Sequence, residues 1–394
     1  MSGRREQALD ILARLGAQPA TSFYEDGVAS TVKAILTELG VDFQPDAYGN
    51  IIARIPGKSL QLPFTKGGLE EEPFTEGEQE KSPFTKGGFR GISPIAFVAH
   101  MDHPGFEAIA SEGDFLVGKA LGGVPAASFQ PGAPLQVLLE DGRRLRASTA
   151  GRHGKEEDRQ ALIQLAEPQP VSLPRPVVFD LVDFQLDGEF IRMRALDDLA
   201  GCASILATLA ALSEQPPPGD VYGVFTRAEE VGLVGARLLA EARILPEDTI
   251  VVSLESSRTL PGAEIGSGPV IRVGDAGFTF NADAESVLIR AREVLQVRPG
   301  GFRVQRQLMS GGTCEASAFA LYGYQTTGIA FPLGNYHNGA PEGRIEAEFI
   351  HQEDFIGGVE LIIEATLRSA ERENTSFRRR LREIPQEFRQ RLSH

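Results

Sequence analysis

Apolar residues follow two different patterns along this chain. Over about residues 6–15 and 27–39 they recur at helical spacing, which predicts two amphipathic helices. From residue 198 onwards, apolar runs of strand length such as VYGVFT, TIVVSLE and TTGIAF alternate with helical patterns. Between residues 107 and 192 the runs are short and alternating, and Gly, Asp-Gly and Pro separate them. The two patterns predict two kinds of structure.

Together the patterns predict an α/β fold. Apolar strands that alternate with helices are typical of a largely parallel sheet covered on both faces. Short alternating strands with frequent turns are typical of a small β-barrel or sandwich. We therefore predict a mixed, mostly parallel central sheet flanked by helices, with an inserted small β-barrel. The expected division is an α/β domain of residues 1–106 and 193–394 and a barrel domain of residues 107–192.

A repeat of ten residues interrupts the first part of the chain. LPFTKGGLEE, EPFTEGEQEK and SPFTKGGFRG are three near-copies within residues 60–91. This period is too short for the common solenoid units, and the copies are rich in Pro, Gly and charge. We predict a disordered or weakly ordered low-complexity insertion between two core strands. A repeat that binds a ligand is the alternative.

Composition excludes several classes of protein. The 394 residues carry 39 basic and 54 acidic side chains, a net charge of -15, which argues against nucleic acid or an anionic membrane as partner. Cys202 and Cys314 are the only cysteines, too few for a secreted disulfide framework. The N-terminus resembles an amphipathic helix rather than a signal peptide, and we expect no run of about 20 apolar residues. Cytoplasmic residence is the prediction.

Carboxylates and histidines stand at the ends of several predicted strands and at one helix start. In open α/β sheets, ligands bind beyond the carboxyl ends of the strands. Each residue has an ordinary explanation, since an aspartate can cap a helix and a glutamate can stabilise a helix N-terminus. Five such endings from separate segments favour a shared site. They are His100 with Asp102, Asp197 with Asp198, Glu229 with Glu230, Glu255, and His337.

These side chains suit a metal site. Two imidazoles and three carboxylates without a thiolate fit zinc, cobalt or manganese, and a carboxylate can bridge two ions. Two ions about 3.5–4 Å apart can share one water and lower its pKa. In the pair Glu229-Glu230, one glutamate can coordinate while its neighbour accepts the proton of the water. Asp102, two residues after His100, is predicted to orient that imidazole.

Six motifs resemble, in order and spacing, the TET-type and glutamyl aminopeptidase family of two-metal exopeptidases. The resemblance covers nearly the whole chain apart from the repeats and the tail after about residue 370. It implies a zinc-exopeptidase fold, and it implies that the barrel is an oligomerisation or lid domain, as in relatives that form dodecamers with an enclosed interior. The motifs are DAYGNIIARIPG, AHMDHPGF, ALDDLAG, AEEVGLVGA, GSGPVIRVGD, and GGTCEA with GYQTTGIAFPLGNYHNG.

The resemblance also implies a role for individual residues. Glu229 matches the general base. With Asp102, which is predicted to orient His100, it forms the expected pair of catalytic residues. The peptide bond between Asp197 and Asp198 is cis in relatives. The matched metal ligands are His100 and Glu255 on one ion, Glu230 and His337 on the other, and Asp197 as the bridge.

Several positions depart from the family pattern. Glu255 stands where many relatives carry aspartate, and glutamate there accompanies activities other than aminopeptidase in the wider superfamily. His103 replaces the glutamate of HMDE, and Leu199 replaces a frequent arginine. GGTCEA replaces GGTDA and adds Cys314 and Glu315 near the site. Each predicted ligand type is retained.

The sequence therefore predicts a cytoplasmic metallo-aminopeptidase with two divalent ions per subunit, zinc or else cobalt or manganese. Its substrates would be short peptides, and it would assemble as a homo-oligomer, for which the resemblance implies a dodecamer. One alternative is a two-metal amidohydrolase, deacylase or carboxypeptidase acting on N-acyl substrates, which Glu255 favours. Another is a non-catalytic oligomeric binding protein of the same fold, which the repeats and altered positions favour.

Overall fold

Helices and strands alternate along the computed structural model, which describes residues 2–58 and 92–393. The repeats predicted at 60–91 therefore lie outside the described residues. The helices are α1 (Ser2–Gly16), α2 (Asp26–Glu38), α3 (Leu196–Glu214), α4 (Val234–Glu241), α5 (Ala282–Gln296), α6 (Glu315–Leu321), α7 (Gln352–Leu367), α8 (Ser376–Arg382) and α9 (Gln386–Leu392). The strands are β1 (Asp42–Pro45), β2 (Ile51–Ile55), β3 (Ile95–His100), β4 (Gly105–Glu112), β5 (Phe115–Leu121), β6 (Pro134–Leu138), β7 (Arg144–His153), β8 (Gln160–Leu165), β9 (Arg175–Phe179), β10 (Gln185–Asp187), β11 (Phe190–Met193), β12 (Val221–Thr226), β13 (Ile250–Arg258), β14 (Val270–Arg272), β15 (Gln305–Gln307), β16 (Gln325–Leu333), β17 (Gly339–Ala340), β18 (Arg344–Ile345) and β19 (Glu348–His351).

The central sheet has eight strands in the order β1-β2-β12-β3-β13-β16-β14-β15. Its middle strands β12, β3, β13 and β16 are parallel to one another. β2 pairs antiparallel with β12, and β14 pairs antiparallel with β16. β3, β12 and β16 are almost entirely buried, as expected for strands covered on both faces. The predicted mixed, mostly parallel sheet is confirmed.

The inserted β-barrel is also confirmed. β4-β5-β8-β7-β6-β9 form a closed antiparallel barrel, filled by Phe106, Leu135, Ile163 and Phe179. β10 and β11 follow the barrel in sequence but lie outside it, in a separate sheet in which β11 pairs with β10 and β19. The predicted domain limits, 1–106 with 193–394 and 107–192, stay a prediction.

Helix α3 is the central helix of the α/β core. It packs against β3 and β13 of the sheet and against α1 and α7, and every residue from Leu196 to Leu212 is buried. By length and composition alone α3 could cross a membrane, although its 19 residues include two aspartates and a glutamate and so contain no run of about 20 apolar residues. Burial is the physical reason for its hydropathy, because a helix covered on all sides is apolar around its whole circumference. Within the protein, 94% of its most apolar window is buried, as in the core helix of a globular fold.

The core role of α3 predicts a large effect of truncating one of its side chains. Leu206 has no exposed surface, so Leu206→Ala removes buried contacts and leaves a cavity. We expect the free energy of unfolding to fall by about 2–5 kcal/mol, measured by urea denaturation. Leu321→Ala is the control, because that side chain is 64% exposed and its loss should change stability by only about 0.5 kcal/mol. Equal effects of the two substitutions would contradict the core assignment.

Candidate metal centre

The predicted ligands and Glu229 come from separate elements and lie at one edge of the sheet. Parallel strands end at the same edge, and His100 is directly opposite Thr226 in the register of β3 and β12. The six side chains are at most 12% exposed. They are His100 at the end of β3, Asp197 at the start of α3, Glu229 and Glu230 after β12, Glu255 in β13, and His337 after β16.

Asp197 lies between the two imidazoles. Its Oδ1 is 3.4 Å from Nε2 of His100, and its Oδ2 is 3.6 Å from Nε2 of His337. Nε2 of His337 is also 3.4 Å from Oε1 of Glu230. Ligand atoms of His100, Asp197 and Glu230 all lie within 4.8 Å of one another, close enough to hold one ion. Glu255 is near enough for its charge to act on both Asp197 and His100.

Backbone carbonyls orient both imidazoles. Nδ1 of His100 lies 3.0 Å from the carbonyl oxygen of Asp102, and Nδ1 of His337 lies 2.9 Å from that of Gly123. Because a carbonyl only accepts, each Nδ1 carries the proton, and each Nε2 is the nitrogen that can coordinate a metal. Both Nε2 atoms point at Asp197.

The carboxylate of Asp102 makes contacts other than the predicted one with His100. Its Oδ1 is 3.6 Å from Nδ1 of His100, so the shorter contact to that ring comes from the Asp102 carbonyl. The carboxylate accepts the backbone N–H groups of Glu229 and Glu230 at 2.9 and 3.2 Å, and the hydroxyl of Ser22 at 2.6 Å. Asp102 therefore holds the loop that carries both glutamates. Its predicted role towards His100 stays a prediction.

Two glycines after β5 leave room for the site. A Cβ at Gly123 would lie 2.5 Å from Nδ1 of His337, and a Cβ at Gly122 would lie 2.9 Å from the Cβ of Glu230. Gly122 also has a φ of 73°, which side chains disfavour. The loop between β5 and β6 can therefore approach both ligands only because it carries glycine.

The site concentrates buried negative charge. Burial, with the negative charges of Glu315, Asp102 and Asp197, raises the pKa of Glu229 to about 8 although His100 opposes this. Burial and the neighbouring carboxylates also hold the pKa of Glu230 and of Glu255 well above the usual range. Buried carboxylates are costly unless a cation compensates them.

Three buried carboxylate oxygens of this site have no hydrogen-bond partner: Asp197 Oδ1, Asp198 Oδ2 and Glu230 Oε1. Two of these oxygens belong to predicted ligands, and both point towards an imidazole nitrogen. Imidazole nitrogen and carboxylate oxygen are donors that zinc, cobalt and manganese accept. The residues present therefore fit a divalent metal.

The residues that depart from the family pattern are buried in or near the site. His103 is buried beside the site, with Nδ1 2.8 Å from the carbonyl oxygen of Asp197. Glu315 is buried behind the ligands and accepts hydroxyls of Thr226 and Ser253 at 3.1 and 3.0 Å. Leu199 is a core residue. The Asp197–Asp198 peptide bond is cis, as the resemblance implied.

Sequence reasoning missed Glu348 and Gly123. Glu348 lies in β19 with no exposed surface and accepts the backbone N–H groups of two predicted ligands, Asp197 and His337. The sequence shows only a glutamate in the strand EFIH, and from a single sequence such a glutamate cannot be distinguished from an exposed residue. Gly123 gave no signal beyond ordinary turn composition.

Comparison with known proteins finds relatives in sequence and in fold. The family of M42 glutamyl aminopeptidases matches residues 165–357. A curated protein of Acetivibrio thermocellus with a provisional aminopeptidase name is 25% identical over 190 residues, which are 46% of this chain. The chain spans about half the length of that relative, 53%.

Solved structures share the fold over nearly the whole chain. An aminopeptidase of the archaeon Desulfurococcus kamchatkensis has a TM-score of 0.71 at 22% identity, covering 94% of this chain and 98% of its own. The TET1 peptidase of Pyrococcus horikoshii has a TM-score of 0.69 at 22% identity, covering 91% and 99%. The resemblance predicted from the motifs is confirmed, and the matched family is one of peptidases.

The site predicts that metal affinity rises with pH. Burial lowers the pKa of His100, but the charges of Glu229, Asp102 and Asp197 outweigh burial and hold it well above the usual range. A protonated imidazole cannot coordinate, so binding must release protons. We expect affinity for zinc to fall about tenfold per proton for each unit of pH lowered, measured against a chelator between about pH 5.5 and 8.

Two variants test the source of that pH dependence. His100→Asn removes the titrating ligand and should reduce both the affinity and its dependence on pH. His153→Asn is the control, since His153 lies on the barrel and contacts Gln160 and Glu112. A zinc affinity of the wild type that does not change with pH would contradict the assignment.

Proposed function

We propose that this chain, which resembles the glutamyl aminopeptidases in sequence and fold, is a metal-dependent aminopeptidase that removes N-terminal residues from short peptides. The observation that carries the proposal is the placement of Asp197, whose two oxygens face Nε2 of His100 and of His337. A carboxylate placed between two imidazoles suits two divalent ions, for which we propose zinc, with cobalt or manganese as alternatives.

The proposed ligand sets are those that the family resemblance implies. His100 and Glu255 would hold one ion, Glu230 and His337 the other, and Asp197 would contact both. When bound, the ions would act as Lewis acids that polarise the carbonyl of the cleaved bond and lower the pKa of a water. The remaining steps fall to side chains of the chain itself.

Glu229 is the proposed general base. Its side chain is 12% exposed and that of Glu230 is 6% exposed, so Glu229 is the more accessible of the pair. The Asp102 carboxylate accepts the backbone N–H of Glu229 at 2.9 Å, which fixes the main chain from which the Glu229 side chain extends. Burial raises the pKa of Glu229 above its usual range, which makes the ionised carboxylate a stronger base towards the water and a group able to return the proton to the leaving amine.

The acidic surroundings support a substrate with a free amino terminus. Glu229, Glu230 and Glu255 bring three carboxyl groups together in the site, and the charge that they carry when ionised would attract a protonated α-amine. A blocked terminus would lose that attraction. This is the proposed basis for cleaving the first peptide bond.

We also propose a cytoplasmic homo-oligomer. The TET1 peptidase of Pyrococcus horikoshii can assemble into a tetrahedron or a large octahedral shell, and this chain shares its fold. A dodecamer assembled through the barrel is the proposed arrangement, to be measured as a molar mass by light scattering after size exclusion. Both cysteines are free and buried, which agrees with a reducing compartment.

A second candidate activity keeps the site and changes the substrate. Glu255 lies where relatives of the resembled family carry aspartate, and its extra methylene changes the reach of that ligand. This position favours an amidohydrolase, deacylase or carboxypeptidase acting on N-acyl substrates. A non-catalytic oligomeric binding protein is the third candidate, supported by the altered positions His103 and Glu315.

The requirement for a free amine separates the first two candidates. We expect metal-loaded protein to hydrolyse leucyl- or glutamyl-arylamides and short peptides, and to lose this activity when the N-terminus is acetylated. Product release is followed by absorbance for arylamides and by mass spectrometry for peptides. Hydrolysis of the acetylated substrates alone would replace the aminopeptidase with the deacylase or carboxypeptidase.

Glu229→Gln separates an enzyme from a binding protein. The amide keeps the shape of the side chain but cannot accept the proton, so kcat should fall by about 10²–10⁴-fold. Metal content, measured by atomic emission, should stay at the value of the wild type. Glu241→Gln at the exposed end of α4 is the control and should leave turnover unchanged. Unchanged turnover in Glu229→Gln would contradict the general-base assignment.

A further inference from the structure

Glu348 joins the two segments that carry Asp197 and His337. Its Oε2 accepts the backbone N–H groups of Leu196 and Asp197 at 2.8 and 3.1 Å. Its Oε1 accepts the backbone N–H of His337 at 2.8 Å. One buried carboxylate thus contacts two proposed ligands through their main chains. It accepts three N–H groups and is not itself in the proposed ligand set.

The strand that carries Glu348 makes this contact possible. In the register of β19 and β11, Glu348 is opposite Met193, three residues before Leu196. The strand pair therefore delivers the carboxylate to the start of α3, where Asp197 begins. The same strand lies eleven residues after His337, so one side chain reaches both segments.

His337 needs such support because its backbone is unusual. It has a φ of 55° and a ψ of 32°, in the left-handed region that residues with a Cβ disfavour. Its neighbours Asn335 and Asn338 also have positive φ values, 53° and 64°. A conformation of this kind persists when the surrounding contacts determine it. The hydrogen bond from the His337 N–H to Glu348 is one of those contacts.

A second connection runs between the same two segments. Nδ2 of Asn338 donates to the carbonyl of Arg194 at 2.9 Å. His103 contacts Oδ1 of Asn338 at 2.9 Å and the carbonyl of Asp197 at 2.8 Å. These contacts fix Asn338 and the main chain of Asp197. Glu348 is the group that contacts the amide of His337 itself.

We propose that Glu348 is a positioning residue that sets the separation of Asp197 and His337 and thereby the affinity of the second metal position. The inference rests on the proposed function, since it assumes that these two side chains bind a metal together. Glu348 would act on the ion held by Glu230 and His337 more than on the ion held by His100 and Glu255. No contact of Glu348 with substrate is required.

The test is a zinc titration of the full-length, metal-stripped protein in competition with a chromogenic chelator. In Glu348→Gln, the amide keeps one acceptor oxygen but turns an NH₂ donor towards backbone N–H groups. We expect one of the two zinc sites, in our proposal that of Glu230 and His337, to lose affinity by about 10–100-fold. The other site should stay within about threefold of the wild type, because, of its proposed ligands, only the shared Asp197 contacts Glu348.

Asp354→Asn is a matched control. Asp354 is also buried, and its carboxylate accepts the backbone N–H groups of Gly266 and Gly268, both at 2.7 Å. Its substitution also converts a buried carboxylate that accepts amides into an amide, but away from the proposed ligands. We expect both zinc sites to keep the affinity of the wild type. Thermal unfolding of each metal-stripped variant measures folding separately.

Each outcome decides for or against the inference. Two zinc sites of wild-type affinity in Glu348→Gln would overturn it, as would equal weakening of both sites or the same loss in Asp354→Asn. If Glu348→Gln does not fold, Glu348→Asp decides, because it keeps the charge but cannot reach both segments. A selective loss at one site in that variant supports the inference, and its absence overturns it.

The titration also separates this inference from the proposed function. Wild-type protein that binds two ions but cleaves no peptide would remove the aminopeptidase and leave the comparison of variants valid. Wild-type protein that binds fewer than two ions would overturn both.

Discussion

Buried negative charge at one edge of the sheet is the constraint on which the site depends. Asp197 presents one oxygen to each imidazole, and two of the glutamates around it have raised pKa values because they are buried together. Such a group of acids is stable in a protein interior only when positive charge compensates it. Divalent ions, with neutral imidazoles among their ligands, would supply that charge.

The scaffold meets this constraint mainly with backbone groups. Carbonyls of Asp102 and Gly123 set the imidazole tautomers, and the Asp102 carboxylate holds the amides of Glu229 and Glu230. Backbone groups are fixed by the sheet and its connections, so they orient ligands without the entropy cost of ordering long side chains. The chemistry of the site therefore depends on where the strands end.

The barrel takes part in the site as well as adding a surface. Gly123 follows β5 of the barrel and contacts His337, which belongs to the α/β core. The glycine is needed for this approach, because a Cβ there would lie 2.5 Å from the ring nitrogen. A rearrangement of the barrel would therefore reach the imidazole.

The sequence by itself determined the alternation of strands and helices, the barrel, the family resemblance and the polar residues at strand ends. These features are local, because apolar spacing and turn residues act over a few positions. It did not show that α3 is buried on all sides, since such burial depends on what packs around a helix. Only the tertiary structure placed Glu348 against Leu196, 152 residues away, and Gly123 against His337, 214 residues away. Contacts over such distances leave no periodic pattern in one chain, and they decide how the residues at the strand ends become a site.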